Sequence, residues 1–308
     1  MRAKFLSEPT DFGDRCYSAA LVLVTNACNL RCEHCFVYRD KTPNEPRDKM
    51  DDATMLHQLR ILRDRHQIKS MLFMGGEPMV RRDLVLEAMN LFDESAIVTN
   101  GTYGIPSMPG HLVTVSLDGP EAVNDALRGA GVFQRVKQSI FERDPGDGTT
   151  VMLQMTLTRR NAPFAREFVE AVADWPVDGI AFTFYVPRRG DESEFVWQDL
   201  RERDAVIEEI IALKKAFPQI KTNLGALNLM RSDVAWRSTG EHCAMNGMLP
   251  LYVGEGGQFE RTFCCYGNDV DCNLCGAYAV FNGAYHRAKR MEACPQPRSD
   301  DLTIRGTE

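Results

Sequence analysis

The sequence has no long apolar run, no cluster of basic residues and no nucleotide-binding glycine motif. No run reaches bilayer-spanning length, and the segment after Met1 lacks a signal-peptide core, so we expect a cytoplasmic protein with no membrane association. The net charge of −7 and the missing Lys/Arg cluster argue against a nucleic-acid partner. Without a GxGxxG or P-loop motif, a nucleotide site of the Rossmann or P-loop type has no support.

Cysteine is absent from the middle of the chain, over about 200 residues, although the chain has 10 cysteines. Disulfides are rare in the cytoplasm, so we expect most of these thiols to bind metal or a cluster. Cys16 stands apart, and we expect it to pack in the core as a small apolar residue. The separation of the others into two groups predicts two sites in two structural units. These groups are Cys28, Cys32 and Cys35 near the start, and Cys243, Cys264, Cys265, Cys272, Cys275 and Cys294 in the last quarter.

The first group has the spacing C-x3-C-x2-C and supplies three thiolates rather than four. A closed structural zinc site uses four ligands. Three cysteines in one short loop instead favour an iron–sulfur cluster with one iron left open for another ligand. A partial zinc site is the alternative.

Short β-branched runs alternate with amphipathic segments through the first two thirds of the chain. This alternation predicts an α/β fold built from parallel βαβ units. Turn residues follow each predicted strand, and such folds place their chemistry at that rim. The predicted strands are 18–25, 70–74, 96–99, 112–117, 151–157 and 180–186, and predicted helices include 51–65, 162–173 and 199–216.

A second motif, Gly75-Gly76-Glu77-Pro78, follows the second predicted strand. Two glycines let a ligand approach the backbone, and the glutamate offers an acceptor for an ammonium group. Alone, this sequence is a common turn. The motif is informative because it lies one predicted strand after the cysteine loop.

Together, the two motifs resemble the radical S-adenosylmethionine (radical SAM) superfamily over about residues 17–190. The resemblance implies a partial (β/α)6 TIM-like barrel. It also implies a [4Fe–4S] cluster on Cys28, Cys32 and Cys35, with S-adenosylmethionine chelating the open iron. Gly75, Gly76 and Glu77 would contact the methionyl ammonium group.

Further site residues are implied by the same resemblance. His34 stands where the family often has an aromatic residue that contacts adenine. The strand ends at Asn100, Ser116 and Asp118 resemble those of the peptide-modifying branch, so we expect Asn100 to bind cofactor and Ser116 and Asp118 to be catalytic. The alternative for Asp118 is that it caps the helix starting at Pro120. Independently of the resemblance, Arg188 and Arg189 end the sixth predicted strand at the rim, where we expect a bidentate contact to a carboxylate of S-adenosylmethionine or of the substrate. The alternative is a solvated connector.

Segments 249–253 and 258–263 predict a β-hairpin that leads into the second cysteine group. The arrangement resembles the auxiliary-cluster extensions called SPASM and twitch domains, although the SPASM pattern does not continue after Cys275. We expect one auxiliary [4Fe–4S] cluster, with Cys265 as the alternative to Cys264 and a structural zinc site as the alternative to the cluster. The last 40 or so residues should be rich in loops. The expected ligands of this cluster are Cys243, Cys264, Cys272 and Cys275.

We expect three units along the chain: an N-terminal segment (1–16), the partial barrel (17–217) and the extension (218–308).

The resemblance implies an oxidoreductase or lyase that reductively cleaves S-adenosylmethionine and uses the 5′-deoxyadenosyl radical to abstract hydrogen. It would need a one-electron donor such as flavodoxin or ferredoxin. Only about 16 residues precede the first predicted strand, too few for a leader-binding domain, which favours a small-molecule or sugar-like substrate in natural-product biosynthesis. Decarboxylation, dehydrogenation or epimerisation would fit. The alternatives are maturation of a ribosomally synthesised peptide and, in another class, a non-catalytic zinc or iron–sulfur regulator.

Overall fold

The structure, a computed structural model, describes residues 11–13, 15–38, 50–254 and 256–293. Cys294 therefore lies outside the described residues. None of the helices in these ranges combines the length and the hydrophobicity needed to cross a membrane.

The described strands form one mostly parallel sheet with the order β6-β5-β4-β3-β2-β1-β7-β8. Strands β1 to β6 lie side by side in chain order and are parallel, as consecutive βαβ units require. Strand β7 pairs in parallel with the other edge of β1, and β8 pairs antiparallel with β7. The strands are β1 (Ala19–Leu23), β2 (Ser70–Met74), β3 (Glu94–Thr99), β4 (Leu112–Ser116), β5 (Thr150–Leu157), β6 (Gly179–Phe184), β7 (Met248–Val253) and β8 (Phe259–Arg261).

Helices follow most strands of the sheet, although β3 and β4 are connected by residues 100–111 without a helix. The first helix is capped by Asp51, whose carboxylate accepts a hydrogen bond from the Thr54 N–H, and it buries Met55, Leu59 and Leu62. The helices are α1 (Asp52–His66), α2 (Arg82–Met89), α3 (Glu121–Arg128), α4 (Val132–Glu142), α5 (Ala165–Ala171), α6 (Leu200–Ala216), α7 (Leu224–Leu229) and α8 (Tyr278–Ala293).

The α/β class and the β7–β8 hairpin are confirmed, with an open sheet. Two expectations were wrong. Cys16 is exposed rather than packed in the core. The last 40 residues include α8, a helix of 16 residues, which buries Val280 and Phe281 and packs against α7. Because only a narrow face of α8 is apolar, its periodicity is weak in the sequence.

Alternation along β5 shows how the sheet positions the site. Leu153 and Met155 are fully buried in the core, whereas Gln154 and Thr156 point to the opposite face and line a large cavity. The chain thus uses one face of the sheet for packing and the other for the site.

Candidate functional site

The two sequence motifs lie side by side at the carboxyl ends of β1 and β2. The Gly76 N–H donates to the Thr25 carbonyl over 2.9 Å. The Glu77 N–H donates to the Ala27 carbonyl over 2.7 Å. The turn after β2 therefore holds the loop that carries the cysteines.

Cys28, Cys32 and Cys35 are half-buried and lie close enough for a charge on one thiol to act on the others. Burial raises the pKa of Cys28, and it raises the pKa of Cys32 to about 12. Iron ligands must be thiolates, so this burial opposes ligand formation. The Arg128 guanidinium, whose Nη1 lies 4.0 Å from the Cys32 Sγ, favours the thiolate and acts to lower the pKa of Cys32.

Gly75 and Gly76 are required by the contact between the two loops. A Cβ at Gly75 would lie 2.6 Å from the Thr25 carbonyl oxygen. A Cβ at Gly76 would strike the Ala27 carbonyl. Both glycines also line the cavity. The sequence predicts room for a ligand at these glycines, and the structure adds a packing reason that the sequence does not reveal.

Glu77 is buried, and its carboxylate joins the ends of two strands. Its Oε1 accepts hydrogen bonds from the Met79 N–H (2.9 Å) and the Thr99 hydroxyl (2.7 Å). Its Oε2 accepts from the Asn100 N–H (2.7 Å). Burial raises the pKa of Glu77, and these hydrogen bonds work against the rise. The carboxylate thus fixes the cavity wall that it also lines.

Asn100 is buried and orients the cysteine loop. Its Nδ2 donates to the Asn29 Oδ1 over 2.9 Å and lies 3.8 Å from the Cys28 Sγ. Its Oδ1 accepts from the Thr102 N–H over 3.0 Å. Asn100 lines the cavity, where we predicted a cofactor-binding residue.

Asp118 is fully buried and forms a charge network. Its Oδ2 lies 2.5 Å from the Arg128 Nε and 3.0 Å from the His34 Nε2. Its Oδ1 accepts from the Thr156 N–H over 2.8 Å. Burial alone would raise the pKa of Asp118, but the facing Arg128 and His34 hold it well below its ordinary value. The side chain does not cap α3, which has no side-chain cap.

His34 and Arg128 both line the cavity. The His34 ring packs edge-on to Phe195, with centroids 6.1 Å apart, while its Nε2 faces Asp118. Its Nδ1 is buried without a hydrogen-bond partner among the described residues. The histidine is therefore held in place by Asp118 at the position where we predicted an adenine contact.

The wall formed by β4, β5 and β6 is neutral and polar. Ser116, Gln154 and Thr156 line the cavity, and no described residue hydrogen bonds to their side chains. Ser116 pairs with Gln154, and Thr156 pairs with Thr183, across neighbouring strands. This wall offers hydroxyl and amide groups to a bound molecule.

Arg188 lies where the chain leaves β6 and meets the C-terminal extension. It forms an isolated antiparallel bridge with Val270, and the Arg189 N–H donates to the Asp269 carbonyl over 2.8 Å. Among the described residues, those that line the large cavity do not include Arg188. The structure thus does not bring Arg188 together with the other predicted site residues.

The second cysteine group lies in the extension, close to the segment that Arg188 and Arg189 meet. Charges on Cys243, Cys264, Cys272 and Cys275 act on one another, which places the predicted ligands in one neighbourhood. Cys272 begins a 3₁₀ turn that is capped by Asp271. Burial raises the pKa of Cys275 to about 12.

Cys264 and Cys265 differ in their surroundings. Cys264 interacts electrostatically with Cys243, Cys272 and Cys275. Cys265 hydrogen bonds to Cys264 and lines a smaller cavity beside Tyr266. Cys265 also interacts electrostatically with Cys243, so Cys264 interacts with three of the other predicted ligands and Cys265 with one; the choice between the two stays a prediction.

The site as a whole is a cavity of about 960 Å³, solvent-facing space included. The three N-terminal cysteines, the two glycines and Arg128 all line it. Within the described ranges, no three His, Cys, Asp or Glu side chains converge closely enough to hold a single metal ion. The donor set fits an iron–sulfur cluster, in which each cysteine binds a different iron, with space beside it for an organic ligand.

Sequence reasoning missed Arg128, Gln154 and Thr156. The arginine ends α3, ten residues after Asp118, and a charged residue in the last turn of a helix has no distinctive signal by itself. The polar residues of β5 alternate with apolar ones, and that period of two was available in the sequence.

Residues 22–141 match the sequence model of the Radical SAM superfamily. The pre-heme d1 synthase of Dinoroseobacter shibae is 30% identical over 168 residues, which are 50% of this chain and 40% of that protein. The mycofactocin maturase MftC of Mycolicibacterium smegmatis is 29% identical over 188 residues, or 58% of this chain and 46% of that protein. The chain thus spans less than half the length of these two relatives.

Solved structures share the fold. Streptococcus suis SuiB bound to S-adenosylmethionine has a TM-score of 0.60 at 16% identity, covering 80% of this chain and 63% of that chain. Native anSMEcpe with bound AdoMet has a TM-score of 0.61 at 15% identity, covering 90% and 86%. Residues 22–141, which contain both motifs, thus match the Radical SAM superfamily, and the solved structures show a similar fold over most of the chain.

Proposed function

We propose that this radical SAM enzyme acts on a small, neutral polar molecule, such as a sugar-like compound, bound against the wall of β4 to β6. The single observation that supports the proposal is the common cavity, which three loop thiols line on one side and Ser116, Gln154 and Thr156 on another. When bound, a [4Fe–4S] cluster with S-adenosylmethionine supplies a 5′-deoxyadenosyl radical that removes hydrogen from carbon.

The chain's own residues would hold and orient these groups. Cys28, Cys32 and Cys35 would bind the cluster, and the backbone of Gly75 and Gly76 lies open to the cavity. Glu77 fixes the turn, and its Oε2, which accepts a single hydrogen bond from the Asn100 N–H, has acceptor capacity left for an ammonium group.

Arg128 is the guanidinium that we propose for the carboxylate of S-adenosylmethionine. It lines the cavity, whereas Arg188 lies against the extension. Asp118 would act by holding Arg128 and His34 in place. Ser116 faces the cavity directly, so of the two predicted catalytic residues we assign substrate contact to Ser116.

The C-terminal thiols would hold an auxiliary [4Fe–4S] cluster. Cys243, Cys264, Cys272 and Cys275 lie in one neighbourhood, which supports this ligand set. A four-thiolate zinc site is the alternative, and iron and zinc analysis separates the two.

The substrate proposal rests on the chemistry of the wall. The half-buried side chains of Ser116, Gln154 and Thr156 have hydroxyl and amide groups that can donate to and accept from a ligand rich in hydroxyl groups. Decarboxylation, dehydrogenation or epimerisation of such a compound would follow hydrogen removal.

A peptide substrate is the second candidate. It is favoured by the match to the protein named mycofactocin maturase. A peptide backbone also offers neutral polar groups that the same wall can bind. A separate protein would then supply recognition of the leader sequence.

Anaerobic reconstitution with iron, sulfide, dithionite and S-adenosylmethionine tests the activity. We expect 5′-deoxyadenosine to form, with flavodoxin or ferredoxin able to replace dithionite. A non-catalytic regulator would yield none, and would behave identically after Cys32→Ala.

Substrate class can be tested by adding low-molecular-weight and peptide fractions of a cell extract separately. A small-molecule substrate in the first fraction should stimulate 5′-deoxyadenosine formation. Gln154→Leu should abolish that stimulation and leave the unstimulated cleavage intact. Stimulation by the peptide fraction alone would favour the second candidate.

A further inference from the structure

Arg203 is a buried arginine near the start of α6. Its side chain is 1% exposed, although arginine is almost never fully buried unless paired. Its Nη1 donates to the Cys275 carbonyl over 2.8 Å, and its Nη2 donates to the Met230 carbonyl over 2.6 Å. The guanidinium carbon lies 5.8 Å from the centroid of the Phe184 ring.

Within the described part of the chain Arg203 forms no ion pair, and the neighbouring Asp204 attracts its charge only at longer range. The buried Nε of Arg203 has no hydrogen-bond partner there. Neighbouring Asp204 instead accepts hydrogen bonds from the backbone N–H and the hydroxyl of Ser232. Burial lowers the pKa of Arg203 to about 10 and leaves it a cation at neutral pH. A buried cation of this kind needs an anion beside it.

A cluster bound by the neighbouring cysteines can supply that anion. Arg203 binds the carbonyl of Cys275, and Cys275 lies among Cys243, Cys264 and Cys272. As neutral thiols these residues carry no charge. An iron–sulfur cluster bound by four thiolates is a net anion, and one-electron reduction adds one more negative charge. Cluster potentials depend on such local charges.

We propose that Arg203 is the buried counter-charge of an iron–sulfur cluster on Cys243, Cys264, Cys272 and Cys275, and that it raises the reduction potential of this cluster. Arg189 and Arg287 also act on Cys272 and Cys243, but both are exposed, so solvent screens their charges. This inference rests on the auxiliary cluster proposed above. Arg203 stabilises the reduced cluster, which is the more negative form. It is a positioning residue, because it acts through the cluster and touches no substrate.

Arg203 also contacts a residue that lines the large cavity. Arg203 packs on Phe184, which lines the large cavity. The Phe184 N–H donates to the Gly276 carbonyl over 2.9 Å. Arg203 therefore stands between the second cysteine group and the cavity wall at the end of β6.

The test uses the full chain with Cys28, Cys32 and Cys35 replaced by alanine, so that the C-terminal cluster alone is titrated. Anaerobic reconstitution with iron and sulfide precedes a potentiometric titration read by electron paramagnetic resonance. We expect Arg203→Gln to lower the equilibrium constant of one-electron reduction about tenfold, a potential lower by about 59 mV. Arg203→Lys, which keeps the charge, should stay within about threefold of the parent.

Arg201→Gln is the matched control. It removes the same charge from the same helix, but the Arg201 side chain is 81% exposed, so solvent screens it. The reduction potential of the cluster in Arg201→Gln should equal that in the parent. Equal potentials for Arg203→Gln and the parent would overturn the proposal. Equal shifts for Arg203→Gln and Arg203→Lys would overturn it as well, because they would indicate a structural effect without charge.

A second measurement covers the case in which Arg203→Gln does not fold. In a chain with Cys264→Ala and Cys272→Ala, which cannot bind the cluster, Arg203 would be an unpaired cation. Arg203→Met should then raise the melting temperature, whereas in the reconstituted parent it should lower it. A decrease in both backgrounds would contradict the proposal.

Failure of this inference and failure of the proposed activity are distinguishable. If the parent of the titration binds zinc or no metal, the counter-charge role is wrong. The chain with intact Cys28, Cys32 and Cys35 can still form 5′-deoxyadenosine. The reverse result, a titratable second cluster without 5′-deoxyadenosine, would leave the role of Arg203 standing.

Discussion

The two cysteine groups differ in how the chain surrounds them. The first lies on a loop at the strand ends, faces a large cavity, and is accompanied by Arg128, whose charge is already balanced by Asp118. The second is gathered by turns after the β7–β8 hairpin and is accompanied by Arg203, which forms no ion pair among the described residues. The first group is thus open to a ligand, whereas the second lies beside a buried cation, to which the proposed auxiliary cluster would supply an anion.

The first prediction concerns the loss of one cluster ligand from the first cysteine group. Cys32→Ala should abolish 5′-deoxyadenosine formation, because one of three cluster ligands is lost, while iron remains at the second group. Liquid chromatography of the nucleoside and iron analysis measure both. Cys16→Ala is the control, since Cys16 is exposed and apart from both groups. Retained activity in Cys32→Ala would contradict the site assignment.

The second prediction compares two arginines. Arg128→Gln should weaken S-adenosylmethionine binding about 10- to 100-fold, since it removes a buried charge from the cavity wall. Arg188→Gln should change the affinity less than about threefold, because Arg188 lies against Val270. Equilibrium binding to the reconstituted protein measures both. A larger effect from Arg188→Gln would favour the carboxylate-binding role predicted for Arg188 from its position at the end of a strand.

The third prediction concerns the contact between the extension and the barrel. A Cβ at Gly276 would lie 2.6 Å from the Phe184 Cβ, so Gly276→Ala should destabilise the chain by about 1–3 kcal/mol. Gly247→Ala is the control, since a Cβ there meets nothing within 4 Å. Denaturant unfolding measures both. Equal stability of the two variants would mean that the contact at the end of β6 is loose.

The fourth and smallest effect concerns Glu77. Glu77→Gln replaces one acceptor oxygen with a donor. It should lower the free energy of unfolding by about 1–2 kcal/mol, because one of three buried hydrogen bonds is lost. Denaturant unfolding of the chain measures the cost. Exposed Glu87, paired with Arg60, is the control position for the same substitution. An unchanged stability in Glu77→Gln would show that the carboxylate does not brace the two strands.

Strand positions and the rim motifs were predictable from the sequence because each depends on local residues. The strand at Ser70–Met74 was predicted at its observed bounds, and Gly75-Gly76-Glu77 follows it as expected. Helix α8 was not predicted, because most of its surface is polar and its buried face depends on α7 and β6. Arg128 escaped notice because its partner Asp118 and its neighbour Cys32 meet it only in three dimensions.

By itself the sequence determined the chemistry of this protein: three loop thiols, a glycine-rich turn one strand later and a second set of thiols near its end. Ligand type and spacing are local properties, so they can be read along the chain. Only the tertiary structure decided which charges stand beside each group. Arg128 is paired with Asp118 and Arg203 lies beside Cys275, contacts that join residues 10 and 72 positions apart. Long-range packing creates such contacts, and no local pattern specifies them.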